Sequence, residues 1–197
     1  MDNLTPNWLE ELLKAVGSHL EAEESKAAIV VVGGATLSVL GIVDRTTKDV
    51  DVIAQARRDD GGNWTLTPAV PLPEALQKAV ALVGRDYGLG ADWLNTEVGA
   101  QWGQGLPDSI LQDTEWRRYA ALWVGFAGRQ TLITLKLFAA VDRSAASVHY
   151  QDLLALQPTS SELATAEEWV MGQDTSEHFP KLIQDVITHV RRDLQRD

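Results

Sequence analysis

The chain has no cysteine among its 197 residues. That absence removes disulfide bridges, thiolate zinc centres and cysteine nucleophiles together. It fits a reducing compartment, and a cytoplasmic location is expected. Long apolar runs are missing too, so no segment reads as a membrane-spanning helix. Asp2 and Asn3 precede an amphipathic pattern, which is not the layout of a signal peptide. Positive charge is scarce: Lys and Arg total 17 against 28 Asp and Glu, a net charge of −11. Such a surface repels a polyanion on average, so nucleic-acid binding needs a local basic patch. The densest basic clusters, Arg117-Arg118 and Arg191-Arg192-Arg196, are weak footprints of that kind.

What is present is an ordinary globular composition, 45% apolar and 23% charged, which argues against disorder. The length allows one domain with a real core, or one domain and a small helical annex. Leu4-Thr5-Pro6 predicts a helix start, with Thr5 as cap, Pro6 in the first turn and Leu4 stapled onto Leu9. Trp8, Leu9, Leu12, Leu13, Val16 and Leu20 follow at helical spacing. Residues 27–32 are apolar and rich in valine, predicting a buried strand that stops at Gly33-Gly34. A short helix is expected over 35–40 and a second strand over 48–54.

Residues 57–73 read as a loop or weak hairpin, 73–87 as a helix, and 88–107 as irregular. Another strand is expected over 119–126. Helices are then predicted over 131–141, 149–156, from the capping box Thr159-Ser160-Ser161-Glu162 to about Met171, and after Pro180. The expectation is an α/β (α+β) fold: a small mixed sheet with helices, then a helical C-terminal half. Residues 1–126 would form the core with its N-terminal helix, and residues 127–197 a helical region packed on it.

The chemistry concentrates between Gly33 and Asp51. Two glycines that end a strand and open a helix let the backbone approach a ligand, and N–H groups there favour an anion. Thr36 adds a hydroxyl that could donate to it. Asp49 and Asp51, two apart on a strand, share a face, and two converging carboxylates make a hard-oxygen site suited to Mg²⁺. The bland alternatives are a tight turn and a solvated strand edge; the two features together in one short unit favour a metal–nucleotide site.

The run G-G followed by R-x-T-x-D-V-D, with Arg45, Thr47, Asp49 and Asp51 at the matching places, resembles the polymerase-β-type nucleotidyltransferase superfamily. Within it the chain is most similar to AbiEii/MenT-like and related uncharacterised bacterial nucleotidyltransferases. Asp92-Trp93-Leu94-Asn95 resembles a segment of those relatives, and Lys136, Asp142-Arg143 and Tyr150-Gln151-Asp152-Leu153 resemble their C-terminal pattern. The resemblance spans roughly residues 27–156. It implies a polymerase-β-like core in which Asp49 and Asp51 bind magnesium. It also implies that Gly33, Gly34, Thr36, Arg45 and Thr47 hold the nucleotide, and that Lys136 and Asp152 complete the site. Two departures stand out: Gly34 occupies a place where many members have serine, and a third metal carboxylate is not evident. Asp92 is a candidate for it, although Trp93 beside it suggests a structural segment.

Lys136 reads equally as a surface lysine. Asp152 reads equally as a helix-surface acid or a partner for Arg143. His149, three residues before Asp152, reads sooner as a surface histidine than as a ligand. Trp64 and Trp102, in glycine-rich loops, are the tryptophans to examine for base stacking. The resemblance implies Mg²⁺-dependent transfer from an NTP to a hydroxyl acceptor. That acceptor could be tRNA, as for the toxin of a toxin–antitoxin pair with an antitoxin partner, or a protein or small molecule. The alternative is a non-catalytic nucleotide sensor or interaction protein of the same fold.

Overall fold

The structure is a computed structural model that describes residues 4–141 and 147–196. The chain divides into two compact units: Met1–Leu106 with Thr114–Ala127, and Pro107–Asp113 with Gly128–Asp197.

The first unit begins with helix α1 (Pro6–Ala22), started as the sequence predicts: the Thr5 hydroxyl accepts from the Trp8 amide at 3.3 Å and Pro6 stands in the first turn. Strand β1 (Ala27–Val32) leads without a loop into the short helix α2 (Gly33–Val39). Strands β2 (Val50–Arg58) and β3 (Trp64–Pro68) follow, then α3 (Glu74–Asp86) and the two-residue β4 (Leu94–Asn95). After a 3₁₀ segment (Glu97–Gln104), strands β5 (Glu115–Tyr119) and β6 (Leu122–Phe126) close the unit.

The six strands form one mixed sheet in the order β3-β2-β1-β6-β5, with β4 paired to β2. The valine-rich β1 lies at its centre, antiparallel to β2 and parallel to β6. The α+β class expected from the sequence is the one adopted. One face of the sheet offers Ile29, Val31, Val52, Val124 and Phe126 to Leu9, Leu12, Leu13 and Val16 of α1 and to Leu76, Val80 and Val83 of α3; these aliphatic groups form a single buried core.

Three details sharpen or depart from the sequence reading. Of the two readings of residues 57–73, loop or weak hairpin, the hairpin is adopted, and β2 continues past its expected end to Arg58 with β3 paired along it; Asp59 accepts from the Asn63 amide at 2.7 Å and closes the turn. The region expected to be irregular, 88–107, contains β4 and the 3₁₀ segment. The single strand expected over 119–126 is a hairpin turning at Ala120, whose φ of 51° breaks the run.

The second unit is helical. Helix α4 (Ile110–Asp113) ends on the carboxylate that caps α5 (Arg129–Val141): Asp113 accepts from the Thr131 amide at 3.0 Å and from its hydroxyl at 2.8 Å. Helices α6 (Val148–Ala155), α7 (Ser160–Met171) and α8 (Phe179–Leu194) follow. The predicted capping box of α7 is formed, with Thr159 and Glu162 each bonded to the other's backbone. Phe138 of α5 meets Trp169 of α7 and Phe179 of α8 edge-on, and the Tyr150 hydroxyl of α6 donates to Asp193 of α8 at 2.7 Å. Asp142 and Arg143 lie outside the described residues. No described helix is long and apolar enough to cross a membrane.

Candidate nucleotide and metal site

The site is built where β1 runs out. Between Val30 and Val31 the register against β2 shifts: Val30 faces Ala54, but Val31 faces Val52 and Val32 faces Asp51. Ile53 is thus an extra residue, a bulge of the kind that re-aims side chains beside functional sites. Its consequence is that the chain leaving Val32 turns directly over Asp51.

That turn requires glycine. Gly33 has φ +75°, and a Cβ built on it would collide with Oδ2 of Asp51. Gly34 is nearly as close to its neighbours: a Cβ there would lie 3.0 Å from the Thr47 hydroxyl and 3.8 Å from Nη2 of Arg45. Parts of the motif separated by more than ten residues in sequence are therefore in contact in space.

The segment carrying Arg45, Thr47 and Asp49 has no regular structure, yet it is pinned at several points. Leu4 pairs with Thr47 through two backbone hydrogen bonds, at 2.7 and 3.0 Å. The Ser38 hydroxyl of α2 donates to the Arg45 carbonyl at 2.8 Å, and the Thr47 hydroxyl donates to the Asp49 carbonyl at 3.2 Å. Asp49 immediately precedes β2 and Asp51 is its second residue; both are half-buried, while Arg45 is exposed. Leu4 and Ser38 were invisible as site residues in the sequence, because they act through backbone groups or on a backbone group.

Thr36 is corrected. Its side chain is fully buried and its hydroxyl donates to the Val31 carbonyl at 3.0 Å, so it seals the β1–α2 junction instead of facing a ligand. Asp92 is exposed and shares a small open depression of about 130 Å³ with Lys48, Asp49 and the Gly88–Gly90 turn. Trp93 is structural as expected: it is buried, and its indole N–H donates to the Val80 carbonyl at 3.1 Å. Among the described residues no three His, Asp or Glu side chains gather as a ready metal cluster.

No family model matches the chain, and no curated protein matches it. Among solved structures it is similar to an antigenic nucleotidyltransferase-like protein from Paracoccidioides brasiliensis. The two share 14% identity with a TM-score of 0.49, over 99% of this chain and 94% of that one. A likeness that distant identifies neither a reaction nor a ligand.

Two residues expected to complete the site lie in the second unit. Nζ of Lys136 on α5 stands 2.7 Å from a carboxylate oxygen of Asp152 on α6, with the side chains 9% and 3% exposed. The surface readings of both residues are thereby overturned. His149 stands on the same helix as Asp152, half-buried.

Trp64 proves to be part of an aromatic cluster on the sheet face opposite the aliphatic core. Its ring stacks on Trp116 at 3.8 Å and meets Trp123 edge-on at 5.6 Å. Arg58 lies over Trp64 and Trp123, and Arg118 over Trp123. The stacking face expected for a base is taken by another tryptophan. Gly125 permits this, since a Cβ there would lie 3.0 Å from the Trp116 ring.

Proposed function

We propose that the chain is a nucleotidyltransferase of the polymerase-β type, transferring a nucleotidyl group from an NTP to a hydroxyl acceptor with magnesium. One observation carries the proposal: the Gly33-Gly34 turn lies against Asp51, Thr47 and Arg45, so a backbone able to approach phosphates adjoins both a carboxylate and a guanidinium.

The donor set fits magnesium, which is typically held by one or two carboxylates with phosphate and water oxygens completing its octahedron. Asp49 and Asp51 would hold it, and the ion would offset charge developing on the phosphates. The chain's own part is mostly positional. Gly33 and Gly34 admit the phosphates close to the backbone, and Arg45 draws on their charge from the exposed side. The acceptor oxygen bonds to the α-phosphorus, diphosphate leaves, and the acceptor proton passes to a base; Asp92, which lines the depression beside Asp49, would serve as that base.

For the acceptor, the charge of −11 favours a small molecule or a protein hydroxyl over tRNA. A tRNA acceptor, and with it a toxin–antitoxin role, needs a cationic foothold, and Arg58 and Arg118 around Trp123 are a candidate for it in the first unit. A second reading is also favoured by an observation: Asn95, an amide, pairs with Asp51 in register where a third carboxylate would complete a metal set, as suits a nucleotide sensor without turnover.

The test is incubation with labelled NTPs, Mg²⁺ and candidate acceptors, with calorimetry alongside. Transfer by wild type and none by Asp49→Ala or Asp51→Ala is the expected result. NTP binding without transfer supports the sensor. If wild type and both variants bind no NTP, the nucleotide reading is lost.

A further inference from the structure

Asp51 is bracketed on both carboxylate oxygens. Oδ2 faces Gly33, close enough that a methyl group there would collide with it. Oδ1 lies 3.4 Å from Nδ2 of Asn95, the residue paired with Asp51 in the parallel β2–β4 register. The orientation of that amide is set independently: Oδ1 of Asn95 accepts from the Glu97 amide at 3.0 Å, which leaves its NH₂ group for Asp51.

Strand β4 is only two residues long, too short to hold a position by pairing alone. It is anchored from the residue before it. Trp93 is buried, its N–H donates to the Val80 carbonyl of α3, and its own carbonyl accepts from the Val50 amide at 2.7 Å. Gly84 of α3 completes the seat: a Cβ there would lie 3.1 Å from the Trp93 ring. A rigid path thus runs from α3 through Trp93 to Asn95 and ends on Asp51. A long hydrogen bond such as this one is weak in energy, but it acts on a side chain whose other oxygen occupies the space that Gly33, lacking a side chain, leaves for it. The glycine admits the carboxylate at this place and the amide holds one of its oxygens there.

We infer that Asn95 is a positioning residue for the metal carboxylate Asp51, fixing its rotamer so that a divalent cation meets a preset oxygen. This rests on the magnesium-dependent reading above. Within Asp92-Trp93-Leu94-Asn95 the two residues divide the work: the tryptophan anchors the segment and the asparagine meets Asp51. Removing an outer partner of a ligating carboxylate typically weakens metal binding by about tenfold or more.

The test is Mn²⁺ binding without nucleotide, read from the loss of the free-ion EPR signal on full-length protein, with circular dichroism as a check on folding. Asp51→Asn should abolish binding at the site. Asn95→Ala should weaken it by about tenfold. Asn95→Leu, nearly the same volume but without a donor, should weaken it as much, whereas Asn95→Gln, which keeps an amide donor, should bind more tightly than either; a purely structural asparagine gives no such order. If Asp51→Asn binds as wild type does, the metal reading itself fails. If Asp51→Asn loses the ion while Asn95→Ala and Asn95→Leu both bind as wild type does, the positioning role is overturned and the metal reading stands. Should Asn95→Ala not fold, the comparison of Asn95→Leu with Asn95→Gln decides.

Discussion

Lys136 and Asp152 face each other at 2.7 Å with almost no exposure, whereas Asp49 and Asp51 stand half-buried at the start of β2. The four residues were grouped by resemblance as one catalytic set, yet their surroundings differ. In the helical unit a cation and an anion are shut away together on neighbouring helices. In the sheet unit Asp51 lies against glycine backbone and an amide, and both it and Asp49 are partly in water. Removing a charge from water costs several kcal/mol, repaid only by a close partner of opposite sign. The buried pair therefore ties α5 to α6, and breaking it costs stability. The half-open carboxylates keep contact with water, and on the function proposed above their alteration costs ligand binding.

The largest effect should follow from breaking the buried pair. Lys136→Met takes from the buried Asp152 carboxyl its lysine partner and should cost about 3–5 kcal/mol. The double variant Lys136→Met/Asp152→Leu should recover most of that, since an apolar pair of similar volume is often neutral or better. Urea denaturation of the three proteins measures both. A single variant as stable as wild type would place the pair in solvent and erase the contrast with β2. The same titration on Asp51→Asn should move stability by less than about 1 kcal/mol, as for a half-exposed group away from the core.

A sharper form of the comparison lies within the glycines. Gly33 and Gly41 share the left-handed region, at φ +75° and +69°, but a Cβ at Gly41 would meet nothing within 4 Å. Alanine at either position incurs the backbone cost of about 1–2 kcal/mol. At Gly33 it must also displace the Asp51 carboxylate. Gly33→Ala should therefore be the less stable of the two and should lose Mn²⁺ affinity, while Gly41→Ala keeps it. Equal metal binding by both would separate the turn from the carboxylate.

Periodicity made most of the helices legible, because α1, α3, α7 and α8 each bury a stripe that recurs every three or four residues, and Thr5 and Thr159 mark starts by a local rule. The β5–β6 hairpin was not legible, and the β2–β3 hairpin only as one of two readings. In β5 and β6 the sheet's second face is built from Trp116, Arg118 and Trp123, so alternation of apolar with polar is lost where arginine covers tryptophan. The motif residues of the candidate site stand out in the sequence because G-G and D-x-D are compact. Their supports could not: Leu4 and Ser38 reach the site through a backbone that only the fold brings near, and Ile53 matters by being the extra residue of a bulge. Thr36 misled for a related reason. A hydroxyl after a glycine turn suits a phosphate, but one turn of helix carries it inward to Val31.

The smallest expected effect concerns pH, and it tests whether the helical unit depends on matched charge beyond its buried pair. Glu162 accepts from Arg129 at 2.6 Å and from the Thr159 amide at 2.8 Å. Arg129 first, then Thr159, hold its carboxyl down to about 2 against burial, which pushes the other way. A carboxylate depressed in the folded state adds stability that is fully present above its unfolded pKa of about 4.5 and fades as pH falls toward 2. The site is partly open to water, so screening limits the loss to about 1 kcal/mol. Glu162→Gln should remove this term and flatten the stability curve of the protein between pH 4.5 and 2, while leaving Mn²⁺ binding at pH 7 unchanged. A curve as steep as that of wild type would assign the acid sensitivity to other carboxylates. A fall in metal affinity would mean that the helical unit's ion pairs support the β2 carboxylates after all.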